Sequence, residues 1–152
     1  MLESLLAPPF AADPPVKLNI PAKTLGLILA ILGAIGALFG ILGFFPLLAL
    51  GTAAAAFGGI FLLAVIGVII GLIGTVIGAL GGYQMYQENR EGKKLAIYGI
   101  ALNVVGSLIA AIGGSGGLVG WIFGALISFV VYYLIVISRF PGEPALAPTT
   151  TA

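Results

Sequence analysis

Residues 25–82 form fifty-eight consecutive positions without Asp, Glu, Lys, Arg or His. An ionic side chain at the centre of a spanning helix costs about 2.5–3.5 kcal/mol on insertion scales, so exclusion over this length is what a bilayer core demands. The stretch reads as two membrane-spanning helices. The whole chain agrees: 61% of its residues are hydrophobic and 7% charged, where a water-soluble domain would carry about 25% charged residues to meet its solvent.

Charge and absence exclude several classes of function. A net charge of +1 without a long basic run gives no electrostatic footprint for nucleic acid. Cysteine and histidine are both missing. That removes disulfides, thiolate nucleophiles, iron–sulfur ligation and palmitoylation, together with the usual zinc and haem ligands and the commonest general base. No catalytic, metal or cofactor site is expected, and the chain is read as non-enzymatic.

Residues 1–23 contain five of the nine prolines and should be a flexible cytoplasmic arm. The arm does not look like a cleaved leader, since its apolar stretch is short and broken by proline. Residues 24–138 are expected to hold four spans, over about 24–45, 57–82, 95–112 and 118–138. Pro46 interrupts the first pattern, and 46–56 reads as either embedded chain, a turn or a short interfacial helix. Residues 83–94 make a polar loop, and residues 113–117, four glycines and a serine, make a turn. The tail, 139–152, is expected to be disordered and cytoplasmic.

Four spans place all six basic and all five acidic residues on one face. The positive-inside rule then puts both termini and the central loop in the cytoplasm. Trp121 and the tyrosines Tyr83, Tyr86 and Tyr98 fall where interfacial belts would lie. The expected fold is all-α, a polytopic four-helix transmembrane bundle with glycine-rich seams.

Gly33, Gly36, Gly40 and Gly43 in the first span, and Gly67, Gly71, Gly74, Gly78 and Gly81 in the second, alternate steps of three and four. An average of 3.5 keeps them on one slowly twisting stripe, the geometry of left-handed helix pairs. Apolar burial gains little between helices already bathed in lipid, so close packing along such seams must hold them. The first hairpin is therefore expected at the core. Residues 31–45 and 69–83 share seven identities in fifteen positions, from an internal duplication or from one packing demand met twice. Gly99 and Gly106 extend the theme, as do Gly120, Gly124 and Ser128.

Asn103 is the one amide within a span, with Ser107 one turn later; the pair is a candidate polar contact with a ligand or with another helix. Thr75 and Ser128 can bond carbonyls of their own helices. Arg90, Lys93 and Lys94 could meet anionic headgroups or a cytoplasmic partner.

Gly82 and Tyr83 at a helix end, Arg90, Gly92, Lys93 and Lys94 in a short basic loop, and Leu95 and Ala96 opening the next helix form a recurrent pattern. This part of the chain resembles the middle of small bacterial four-helix integral membrane proteins of unknown function. The resemblance implies a bacterial inner membrane and no activity. Beyond the lipid bilayer, the expected role is association as a homo-oligomer or as an accessory subunit of a larger membrane complex. A small channel or transporter for an uncharged or lipid-like solute is the alternative.

Overall fold

Four helices follow one another in the computed structural model, which describes residues 8, 14–16, 18–53, 59–114 and 117–143. They are α1 (Ala22–Ala53), α2 (Gly59–Tyr86), α3 (Glu91–Ile112) and α4 (Gly117–Ile137). Each is long and apolar enough to cross a membrane. The fold is thus all-α and compatible with a four-span bundle. Expectations for 1–7, 9–13, 17, 54–58, 115–116 and 144–152, including most of the arm and tail, lie outside the described residues.

Pro46 does not end the first helix, as its pattern-breaking position suggested. It sits inside α1, which continues to Ala53. Proline there removes the N–H that would have bonded the carbonyl of Leu42, a local loss that membrane helices tolerate when the rest of the ladder holds. A helix of 32 residues spans about 48 Å, more than the ~30 Å hydrocarbon core, so α1 must tilt or project.

The tightest pairing is α2 with α3, not the first hairpin. Its cause is a seven-residue repeat on both helices: Gly67, Gly74 and Gly81 on α2 face Gly92, Gly99 and Gly106 on α3, with Gly113 beyond. A Cβ on Gly74 would fall 2.5 Å from the Asn103 backbone nitrogen and 2.7 Å from the Gly99 carbonyl. The two backbones are in contact, with no room for a side chain between them. Helix α1 packs on the other side of α2, where Gly26 lies against Gly82 and Met85, Gly33 against Ala79 and Gly40 against Leu72. Further along it pulls away, and a Cβ on Gly43 would meet nothing within 4 Å among the described residues.

Burial is concentrated at one end of the bundle. Ala22 and Leu25 from the start of α1, Met85 from the end of α2, Ala96 and Ile97 from the start of α3, and Ile135 and Phe140 at and beyond the end of α4 form the core cluster. Every described charged residue belongs to the same end. The α2–α3 turn closes there with Glu88 at φ 63°, donating from its N–H to the Met85 carbonyl at 3.0 Å, while Asn89 donates to Gln84 at 2.9 Å. This is the left-handed helix cap that glycine usually occupies. Glu88 adds what glycine could not: its carboxylate reaches Lys23 Nζ at 3.2 Å and ties the start of α1 to the turn. Asn89 Oδ1 then accepts from the Glu91 N–H at 3.0 Å, capping α3.

The chain flanking the bundle joins at this end too. Ala22 N–H donates to the Arg139 carbonyl at 2.7 Å and Arg139 N–H to the Ile20 carbonyl at 3.0 Å. Tyr133 adds a hydroxyl bond to the Val16 carbonyl at 2.9 Å and accepts from its N–H at 3.1 Å. The start of α1 and the end of α4 are therefore side by side. Toward the opposite end α1 and α4 separate, touching only sparsely, and leave the α2–α3 seam open to one side.

Candidate functional site

A groove lies where α1 and α4 fail to meet. Leu29, Leu32 and Gly33 of α1 form one wall and Ile127, Val131 and Ile135 of α4 the other. Its floor is the seam: Gly74, Thr75 and Gly78 of α2, with Gly99 and Asn103 of α3. The volume is about 390 Å³. A second cavity of about 350 Å³ continues along α3 and α4 toward the open end, lined by Ser107, Gly117, Gly120, Trp121 and Gly124. Asn103 and Ser128 line both. The two cavities thus share one polar threshold about midway along the helices.

Glycine creates this space twice. The seam glycines bring α2 and α3 so close that their floor presents backbone rather than side chains. Gly117, Gly120 and Gly124 leave the facing edge of α4 bare, since a Cβ at any of them would meet nothing within 4 Å among the described residues.

The polar groups are ordered by Asn103. Its Nδ2 donates to Thr75 Oγ1 at 2.8 Å and to the Gly71 carbonyl at 3.2 Å. Thr75 donates its own hydroxyl to the same Gly71 carbonyl at 2.9 Å. A carbonyl only accepts, and the Thr75 proton is already committed, so the amide must turn its NH2 toward α2. Its Oδ1 is the atom left over, without a hydrogen-bond partner among the described residues. Ser107 bonds its own helix through the Val104 carbonyl at 3.0 Å. Trp121 Nε1 donates to that carbonyl as well, at 3.1 Å, so the indole ties α4 to α3 rather than serving only as an interfacial anchor.

Thr75 bonds within its own helix, as its position on a span leads one to expect. Ser128 does not, and its hydroxyl has no partner among the described residues. No sequence signal marked this serine out, because a hydroxyl that returns to its own backbone and one that stays free are written identically.

Of the predicted helix-packing residues, Gly67, Gly74 and Gly81 contact α3, while Gly33 and Gly40 contact α2. A Cβ on Gly71 or Gly78 would stand 4.0 and 3.9 Å from α3 backbone, and on Gly36 3.5 Å from Thr75. A Cβ on Gly43 would meet nothing within 4 Å among the described residues. Gly26, Gly82, Gly92 and Gly113 were missed; all lie at the ends of spans, where the seven-residue register, extended one step further, would have found Gly92 and Gly113.

Arg90, Lys93 and Lys94 do not act together. Arg90 is exposed and Lys94 pairs with Glu91 at 2.8 Å in an exposed i,i+3 bridge. Lys93 turns inward: its ammonium donates to the Ser138 carbonyl at the end of α4 and sits 5.2 Å from the centre of the Phe140 ring. That lysine fastens the end of α4 to the start of α3. Among the described residues no group of three His, Cys, Asp or Glu side chains could hold a metal ion.

No family model, curated protein or solved structure matches this chain.

Proposed function

We propose that this is a non-enzymatic multi-pass membrane protein that takes an uncharged, lipid-soluble molecule from the bilayer into the groove between α1 and α4. The observation that carries the reading is the groove itself: apolar walls on two helices, a glycine-lined floor, and a few polar atoms at its midpoint. Mostly apolar concavities with a few placed polar groups are the usual form of a small-molecule site. No ionisable side chain among the described residues lines either cavity, which favours a neutral occupant over an ion or a proton path.

Association was the natural reading of the glycine stripes. The stripes on α1, α2 and α3 are largely occupied within the chain, so they no longer argue for a partner. What supports a second reading, docking of another helix, is the bare edge of α4 at Gly117, Gly120 and Gly124.

Trp121 is the single tryptophan and lines the second cavity. In lipid nanodiscs, bromine-bearing apolar solutes should quench its fluorescence with a saturable component above the linear background of bilayer partitioning. Purely linear quenching across a broad panel of solutes would rule the groove out as a binding site.

Both termini and the α2–α3 turn are proposed to face the cytoplasm of a bacterial inner membrane. The charge bias supports this, because every ionic residue among those described is at one end of the bundle. The chain has no native cysteine. Single cysteines replacing Thr52 or Ser115 should react with an impermeant maleimide in intact cells, and one replacing Glu91 only after lysis. Labelling of the Glu91 position in intact cells would reverse the topology.

A further inference from the structure

We propose that the occupant of the groove carries a hydroxyl group: it is a neutral, lipid-soluble alcohol, held by Asn103 and Ser128. The inference rests on the groove being a binding site, and adds which chemistry it selects. Two polar atoms at the shared threshold of the cavities have no partner among the described residues, the acceptor Oδ1 of Asn103 and the hydroxyl of Ser128.

Inside hydrocarbon such groups find no bulk water, and each unbonded one is costly. One is a bare acceptor and the other a free donor. A single hydroxyl oxygen answers both, donating its proton to Asn103 Oδ1 and accepting from Ser128. A ketone, ester or ether accepts from Ser128 but leaves Asn103 unanswered. An alkane answers neither. Amines and carboxylates carry charge at neutral pH and are disfavoured at this depth.

Three solutes of equal chain length separate these cases: a medium-chain bromoalkanol, its methyl ether and the bromoalkane. Their saturable quenching of Trp121 in nanodiscs gives an affinity for each, corrected for partitioning into lipid. The alcohol should bind about tenfold more tightly than the ether, within the three- to thirtyfold range that hydrogen bonds between membrane helices span. The ether should exceed the alkane by about threefold, the lower end of the same range.

Ser128 makes no hydrogen bond among the described residues, so Ser128→Ala should leave the protein intact while erasing the advantage of ether over alkane. Asn103→Leu should erase the advantage of alcohol over ether. If Asn103→Leu fails to assemble, the Ser128→Ala result alone still decides. Equal saturable affinities for the three solutes in the unaltered protein would overturn the alcohol preference and leave the groove standing as an unselective site. An ether advantage that survives Ser128→Ala would overturn the role given to that serine.

Discussion

Gly99→Ala should destabilise the protein by about 2–3 kcal/mol, while Gly78→Ala, on the facing helix, should be neutral or stabilising by up to about 1 kcal/mol. The sign differs for a geometric reason. Adding a methyl group to a helical glycine normally helps, because alanine restricts the unfolded chain and favours the helix. At Gly78 the new Cβ would rest 3.9 Å from the Gly99 Cα, an ordinary contact. At Gly99 it would fall within 2.7 Å of the Gly74 carbonyl oxygen and meet the Gly78 backbone as well. Backbone atoms cannot swing aside as a side chain does, so α2 and α3 must move apart along the whole seam. Gly99→Val should exceed the alanine cost and separate the helices. Reversible unfolding in detergent followed through Trp121, with the three variants and the parent side by side, measures the difference. Equal stability of Gly99→Ala and Gly78→Ala would mean that the two helices are not in backbone contact.

That the chain forms four long apolar helices was legible because charge exclusion is a property of the solvent: lipid penalises an ionic side chain whatever the helix packs against. Pairing was less legible. Residues 31–45 and 69–83 carry nearly the same glycine pattern, yet the corresponding positions are used differently. Gly33 and Gly40 meet α2, whereas their counterparts Gly71 and Gly78 lie just beside α3. Gly74 and Gly81 enter the α3 backbone, whereas their counterparts Gly36 and Gly43 are progressively unpacked. A stripe stepping by three and four is two interleaved stripes of seven, and sequence alone does not say which of them a neighbour takes. Helix α2 has neighbours on both sides and uses its small residues for both. Helix α1 packs its small residues against α2 and touches α4 only sparsely.

Asn103 was legible as a polar contact, because an amide in hydrocarbon must be answered. Its partners were not, since Thr75 and Gly71 come opposite it only once the α2–α3 register is set. The groove was not legible at all. It arises where α1 and α4 do not meet, and no residue encodes a contact that is missing.

Gly124→Leu should abolish saturable quenching of Trp121, weakening binding by at least about tenfold, without loss of stability. A Cβ at Gly124 meets nothing within 4 Å among the described residues, so the leucine enters open space rather than a described neighbour. That space is the second cavity, which begins at Gly117 and ends at the Asn103–Ser128 threshold. Leucine also has the higher helix propensity by about 1 kcal/mol, so the variant should melt at or above the temperature of the parent. Loss of binding through unfolding is thereby separable from loss through blockage. Gly43→Leu is the matched control: it too meets open space among the described residues, but on α1 and outside both cavities. It should leave quenching unchanged. If Gly124→Leu binds as the parent does, the solute does not pass along the α3–α4 side, and only the larger groove against α1 remains as its place.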